Sequence, residues 1–230
     1  MKLLERLSLI VVAAAVLFLV SVPGYCFSVS IFGVPNLAQP VDGAGTYSRG
    51  LGYGGGLMLD SITKPYSILE FQRVFYFSYE FSFMHLVRNY TATVSTVTYY
   101  FTTPEEQMQF LVRAWISPLL SIGAGGYASY NPGKIEYSSV EGSNSSDPTN
   151  RIDYGVAFSI RFGFHLGFTQ LFMDARYASG FANQVSDGQA HYDNYMLLIG
   201  FRFGKTPFYD LNANMMRDYG RHSGSPNIYY

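Results

Sequence analysis

The chain has 230 residues with a formal net charge of −1, which suits one domain and implies no polyanionic partner; no Lys/Arg cluster marks a nucleic-acid face. Charged residues are only 13%, against roughly 25% in ordinary soluble domains, and aromatics reach 17%. Such a chain points to a surface that does not face water.

Residues 1–26 read as a secretory signal peptide. Lys2 and Arg6 are a short basic start, Leu7 to Val20 is apolar except for Ser8, and Pro23, Gly24, Tyr25 and Cys26 break the run. The run is short for a spanning helix, which needs about 20 apolar residues. Cys26 is the only cysteine, so a chain cleaved after it holds no disulfide and no thiolate metal site. Beyond it no apolar run approaches helix-spanning length. If the mature chain enters a membrane it does so as strands closed into a barrel, and the test is period-two alternation.

The first expected strand is FSVSIFGV, 27–34, where Phe27, Val29 and Ile31 alternate with serines. A long polar loop is read over 34–49 from Pro40, Asp42, Gly43 and Gly45. RGLGYGGGLMLD, 49–60, contains Gly50-x-Gly52-x-x-Gly55, the spacing of a dinucleotide loop. That loop needs a strand before it and a helix after it; a loop precedes it here and Pro65 follows. The segment reads instead as a strand with Leu51, Tyr53, Leu57 and Leu59 on one face. Its glycines then line the inner wall of a narrow barrel and make room for larger side chains opposite.

After a short link at 61–66, residues 67–83 alternate strongly. Leu69, Phe71, Phe75, Phe77, Tyr79, Phe81 and Phe83 share one face; Glu70, Glu80 and the serines share the other. A link at 86–91, a strand at 92–101 and a short turn at 102–108 (TTPEEQM) follow. Further strands are expected at 116–127, 152–164, 171–177 and 195–203, joined by a short link at 165–169 and long loops at 129–151 and 181–193. Residues 138–150 read as a mobile surface loop. Long and short connections at opposite ends are the habit of outer-membrane barrels, whose single chains carry even strand numbers. The expected fold is therefore all-β: a closed antiparallel eight-stranded up-and-down transmembrane barrel over 27–204, behind the signal peptide. Residues 205–230 are a C-terminal extension.

NYMLLIGFRFG, 194–204, resembles the closing strand of small OmpA-like outer-membrane barrels, which ends in an aromatic–Arg–aromatic triplet, here Phe201-Arg202-Phe203. ISPLLSIGAGGYASY, 116–130, resembles their Pro-led, glycine-rich strand. The resemblance covers most of 27–204. It implies a cell outer-membrane location, outer-membrane lipid as surroundings, and a role for the closing aromatic with the barrel-assembly machinery. The 26-residue tail departs from members that stop at that aromatic, and it is too short for a peptidoglycan-binding domain.

On this parity the lumen holds Glu70, Glu80, Arg113, Asp153, Arg161, Asp174, Arg176 and Arg202, four acids and four arginines that must pair to be tolerated in a low-dielectric interior. They are expected to fill and seal the lumen; the competing expectation is a gate. Trp115, Tyr99, Tyr100, Phe101, Tyr127 and Tyr130 are assigned to interfacial girdles. No cofactor or metal is expected, since His85, His165, His191 and His222 lack ligand spacing. The leading function is a non-enzymatic barrel with a structural, surface-interaction or small-solute role, whose loops 34–49, 129–151 and 181–193 are open to an extracellular ligand. The alternatives are an outer-membrane lipid-modifying hydrolase or acyltransferase, and a lipocalin-like periplasmic barrel with its aromatic face turned inward.

Overall fold

The computed structural model describes residues 26–41, 46–62, 66–67, 74–94, 97–117, 119–140, 142–146, 150–166, 169–182 and 191–204. The expected signal segment before Cys26, Glu70, Pro118, and the 205–230 tail lie outside the described residues.

The described residues form strands and no helix: β1 (Cys26–Val41), β2 (Thr46–Ile62), β3 (Tyr66–Ser67), β4 (Val74–Val94), β5 (Val97–Trp115), β6 (Leu120–Tyr130), β7 (Ile135–Ser139), β8 (Gly142–Ser146), β9 (Ile152–Leu166), β10 (Thr169–Gly180) and β11 (His191–Gly204). Eight of them close a ring in the order β1-β2-β4-β5-β6-β9-β10-β11, every neighbour antiparallel. The last strand returns to the first, with Ser30 opposite Arg202 and Val41 opposite His191. Closure leaves no edge in the ring itself, and the up-and-down order needs only local hairpins.

The faces follow from alternation. Phe158 and Phe162 on β9 are 51% and 50% exposed, while Ser159 and Arg161 between them are buried. Val29, Ile31, Leu57, Phe110, Ile122 and Ile199 also point outward. The inward-turned aromatic face of a lipophile-binding barrel is thereby overturned: the β9 phenylalanines face out, and the inside holds charges and serines packed with Phe32, Met58, Met84, Leu111, Phe172 and Leu198.

β4 and β5 run 21 and 19 residues, well beyond the five or six usual for soluble strands. Their register is continuous from Tyr76–Trp115 to Val94–Val97. This corrects three expectations together. Residues 86–91 are the interior of β4, 102–108 are the interior of β5, and the strand expected at 92–101 contains the hairpin between Val94 and Val97. Pro104, Glu105 and Glu106 look like a turn, but Glu105 points in to Arg88 and Glu106 out to His85. The Arg88–Glu105 ion pair inside and the His85–Glu106 hydrogen bond outside thus stabilise the pairing on both faces. The count of eight survives because one expected strand moves along the chain.

Two loops also prove shorter than expected. β1 continues to Val41 and β2 begins at Thr46, so most of 34–49 is strand; Val34, Asn36 and Ala38 stay inside and Pro35 and Leu37 outside. A strand proline forfeits only one ladder bond. Within 129–151, β7 and β8 form a hairpin whose Gly142 has φ 143°, a conformation that only glycine adopts without strain. β7 adds to β5 through Tyr100–Ser138 and Thr102–Glu136, so a sheet of β4, β5, β7 and β8 extends past the rest of the ring.

The glycines of β2 have a sharper reason than room in the lumen. A Cβ on Gly52, Gly54 or Gly56 would lie 2.1–2.2 Å from the carbonyl oxygen of Val87, His85 or Phe83 on β4. The β4 backbone leans over that face of β2, as at a sharply bent corner of a barrel wall. The register between the two strands also shifts between Arg49 and Tyr53.

Candidate functional site

The ring brings seven of the eight expected lumen charges inside. Glu80, Arg113, Asp153, Arg161, Asp174, Arg176 and Arg202 are all buried; Glu70 lies outside the described residues. They separate into two levels.

The lower level sits toward the end where Cys26 and Gly204 lie. Asp174 is its centre. Its Oδ2 accepts from Arg113 Nη2 at 3.0 Å, Arg161 Nη2 at 2.9 Å and Arg176 Nη2 at 2.8 Å, and its Oδ1 accepts from Ser159 Oγ at 2.7 Å. Glu80 receives the same three arginines: Arg113 Nη2 at 2.7 Å and Arg161 Nη2 at 2.6 Å on Oε2, and Arg176 Nη2 on Oε1. Ser121 and Gln109 accept further guanidinium hydrogens. Asp60, at the β2 end, stands 3.4 Å from Arg161 Nη1 and 3.6 Å from Arg202 Nε. Strand alternation makes this possible, because the seven strands carrying these residues each present alternate side chains to one axis.

The upper level lies beneath the far mouth. Arg88 Nη2 donates to Glu105 Oε1 at 2.8 Å, and its Nε is 2.6 Å from Oε2. The guanidinium lies 5.3 Å from the centroid of the Tyr192 ring, whose hydroxyl donates to Tyr90 at 3.0 Å. Tyr127 donates to Asp153 at 2.9 Å. A cavity of about 10 Å³ here, lined by Arg88, Thr103, Glu105, Ser129, Asn131, Arg151 and Tyr192, has room for one water. Tyr192→Phe removes the buried bond to Tyr90 and is expected to cost about 1 kcal/mol, read from a urea midpoint of the refolded protein.

Three further charges join the lumen: Asp60, which alternation places on the inward glycine face without counting it in the network, and Arg88 and Glu105. Arg88 and Glu105 fell in segments taken for links. Two aromatics are also corrected. Trp115 is buried in the lumen with its indole over Arg202, 5.1 Å from guanidinium to ring centroid, and its Nε1 donates to Ser78 Oγ at 3.0 Å. Tyr127 is likewise inside. Both share parity with inward Arg113 and Gly125, the signal that would have placed them. Tyr99 and Phe101 pack instead with Tyr137 of the hairpin, and Phe101 stacks on Tyr90 at 4.8 Å.

His85 is on the outer wall, 2.9 Å from Glu106, while Ser82 and Glu80 are inside. A His–Ser–acid set on one face is therefore not assembled from these three. Among the described residues no group of His, Cys, Asp or Glu is placed to hold a metal ion.

No protein-family model matches the chain, and no curated protein matches it either. Solved structures of similar shape include Ail of Yersinia pestis in complex with the heparin analogue sucrose octasulfate (18% identity, 78% of this chain and 99% of that chain, TM-score 0.41). The outer membrane protein OprG from Pseudomonas aeruginosa is 11% identical over 79% of this chain and 96% of its own (TM-score 0.44). Neisserial surface protein A is 13% identical over 79% and 99% (TM-score 0.39). The protein is a closed eight-stranded antiparallel β-barrel on the strength of its own strand pairing.

Proposed function

We propose that this is a bacterial outer-membrane barrel without enzymatic activity, a sealed membrane anchor that presents its far-end strands and loops to the outside. The observation that carries this reading is the inversion of the usual globular pattern. Ionised groups are enclosed while Phe110, Phe158, Phe162 and Phe201 stand exposed around a ring with no free edge. A water-soluble monomer rarely exposes so large an apolar surface, and hydrocarbon requires every backbone group to be bonded within the ring.

Residues 1–26 would direct export and be removed. The end holding Ser28 and Gly204 would face the periplasm; two of its three connections, 116–119 and 167–168, are short. The far end carries the 131–151 and 181–190 connections and the β4–β5–β7–β8 sheet, the natural place for an extracellular ligand. Two of its four connections, 42–45 and 95–96, are short, so contact would centre on the hairpin side. Phe201 and Phe203 on the closing strand would serve the barrel-assembly machinery, and outer-membrane lipid would be the permanent neighbour. The paired charges favour sealing over conduction. The Ail structure is a complex with the heparin analogue sucrose octasulfate; titration of that sugar into the refolded barrel tests whether this chain takes such a ligand.

Fractionation should place the protein in the outer membrane, with gel migration that changes on heating. Recovery in the soluble periplasm would overturn the reading, and so would stepwise conductance in planar bilayers for its sealed lumen. Lipid A profiles with and without the gene should match; an altered acyl pattern would favour an enzyme. Phe158→Lys places a charge on the apolar belt and should cost about 2–4 kcal/mol in bilayer-refolded protein, whereas a soluble barrel would tolerate it.

A further inference from the structure

Arg202 differs from the other lower-level arginines. Register puts three inward side chains on one line across adjacent strands: Ser30 of β1, Arg202 of β11 and Gln170 of β10. Such cross-strand partners have Cβ atoms about 4.5–5.5 Å apart. All three residues are buried. Arg202 Nε donates to Ser28 Oγ at 2.6 Å and the guanidinium face is covered by Trp115. Yet its Nη1 and Nη2, both amide atoms of Gln170 and the Ser30 hydroxyl have no hydrogen-bond partner. Orphaned donors from three side chains therefore gather at one level. The Gln170 amide lies against Gly163 of β9, where a Cβ would come within 2.3 Å of its Nε2.

Charge points the same way. Among the described residues, Arg113, Arg161, Arg176 and Arg202 face Asp60, Glu80 and Asp174 at the lower level, four cations against three carboxylates. The other buried acids among the described residues, Glu105 and Asp153, lie at the upper level with Arg88. A buried charge without a counter-charge is costly, and an unmade buried hydrogen bond adds to that cost.

We propose that a small monovalent anion of the halide class binds inside the lumen at Arg202, between Gln170 and Ser30. The Arg202 Nη hydrogens, Gln170 Nε2 and the Ser30 hydroxyl donate to it, and Gln170 Oε1 turns away. One negative charge balances the lower level. Water would satisfy the donors but leave the charge, so the two occupants differ in a measurable way.

Crystals of the refolded barrel grown in bromide should show an anomalous peak within hydrogen-bonding distance of Arg202 Nη. In detergent, the thermal midpoint at constant ionic strength should rise as chloride or bromide replaces gluconate, because a ligand held only by the folded state stabilises it by mass action. Arg202→Gln should abolish that dependence. If Arg202→Gln does not fold, the Ser30→Ala/Gln170→Leu double variant keeps the charge, removes the neutral donors, and should weaken halide dependence about tenfold. No anomalous peak at Arg202, a chain carboxylate found on its free edge, or equal halide dependence in wild type and the double variant would each overturn the proposal.

Discussion

Asp174→Asn is expected to destabilise the barrel by about 3–5 kcal/mol, the scale seen when one partner of a buried ion pair is removed. Asp174 touches Arg113, Arg161, Arg176 and Ser159 at once. The amide keeps the shape but removes the charge, leaving four guanidinium groups against Asp60 and Glu80. The opposite deletion should be milder. Arg161→Met leaves three arginines facing three carboxylates, so it loses bonds without adding to the charge imbalance. Urea unfolding of protein refolded into bilayers measures both, and Trp115, the single tryptophan, reports from inside the lumen. Equal costs for the two variants would show that hydrogen bonds rather than net charge govern the lower level.

Gly54→Val is expected to abolish folding. Even a Cβ at this position falls 2.2 Å from His85 O and 2.7 Å from Leu86 Cδ2, and the first of these contacts is backbone, which has no rotamer to yield. Overpacking a well-fitted core costs about 1–3 kcal/mol where side chains can shift; here β2 and β4 must part, and the ladder between them holds the ring closed. Gly33→Ala is the control, because nothing lies within 4 Å of its Cβ. The first variant should show no heat-dependent gel shift and the second a normal one. Normal folding of Gly54→Val would mean that the corner between β2 and β4 is less tight than the backbone places it.

Much of the barrel was legible from alternation alone. Phe158, Ile160 and Phe162 against Ser159 and Arg161 assigned the β9 faces without ambiguity, and the same holds for Asp174 and Arg176 on β10 and Arg202 on β11. What sequence could not deliver was the hairpin between Val94 and Val97. Ser95 and Thr96 are its only intervening residues, with no glycine, asparagine or proline to announce it. Pro104-Glu105-Glu106 supplied a false signal eight residues on, since the partners that make those acids acceptable in a strand, Arg88 and His85, become visible only once the register is known. The β2 glycines were correctly read as strand, but their cause is a neighbouring backbone, which composition does not encode. The network likewise depends on which strands face one another: parity gives direction, and only closure gives partners such as Asp60 and Arg161, 101 residues apart.

The β7–β8 hairpin ends the extended sheet on β8, Gly-Ser-Asn-Ser-Ser, which has β7 on one side and no strand on the other among those described. Its backbone could accept a foreign extended segment, but its small hydrophilic side chains would give that segment nothing oily to cover. On the proposed outer-membrane reading, copies crowded together on a cell surface would therefore gain little by zipping up along this border, and the hairpin would stand above the bilayer without inviting its neighbours to polymerise on it.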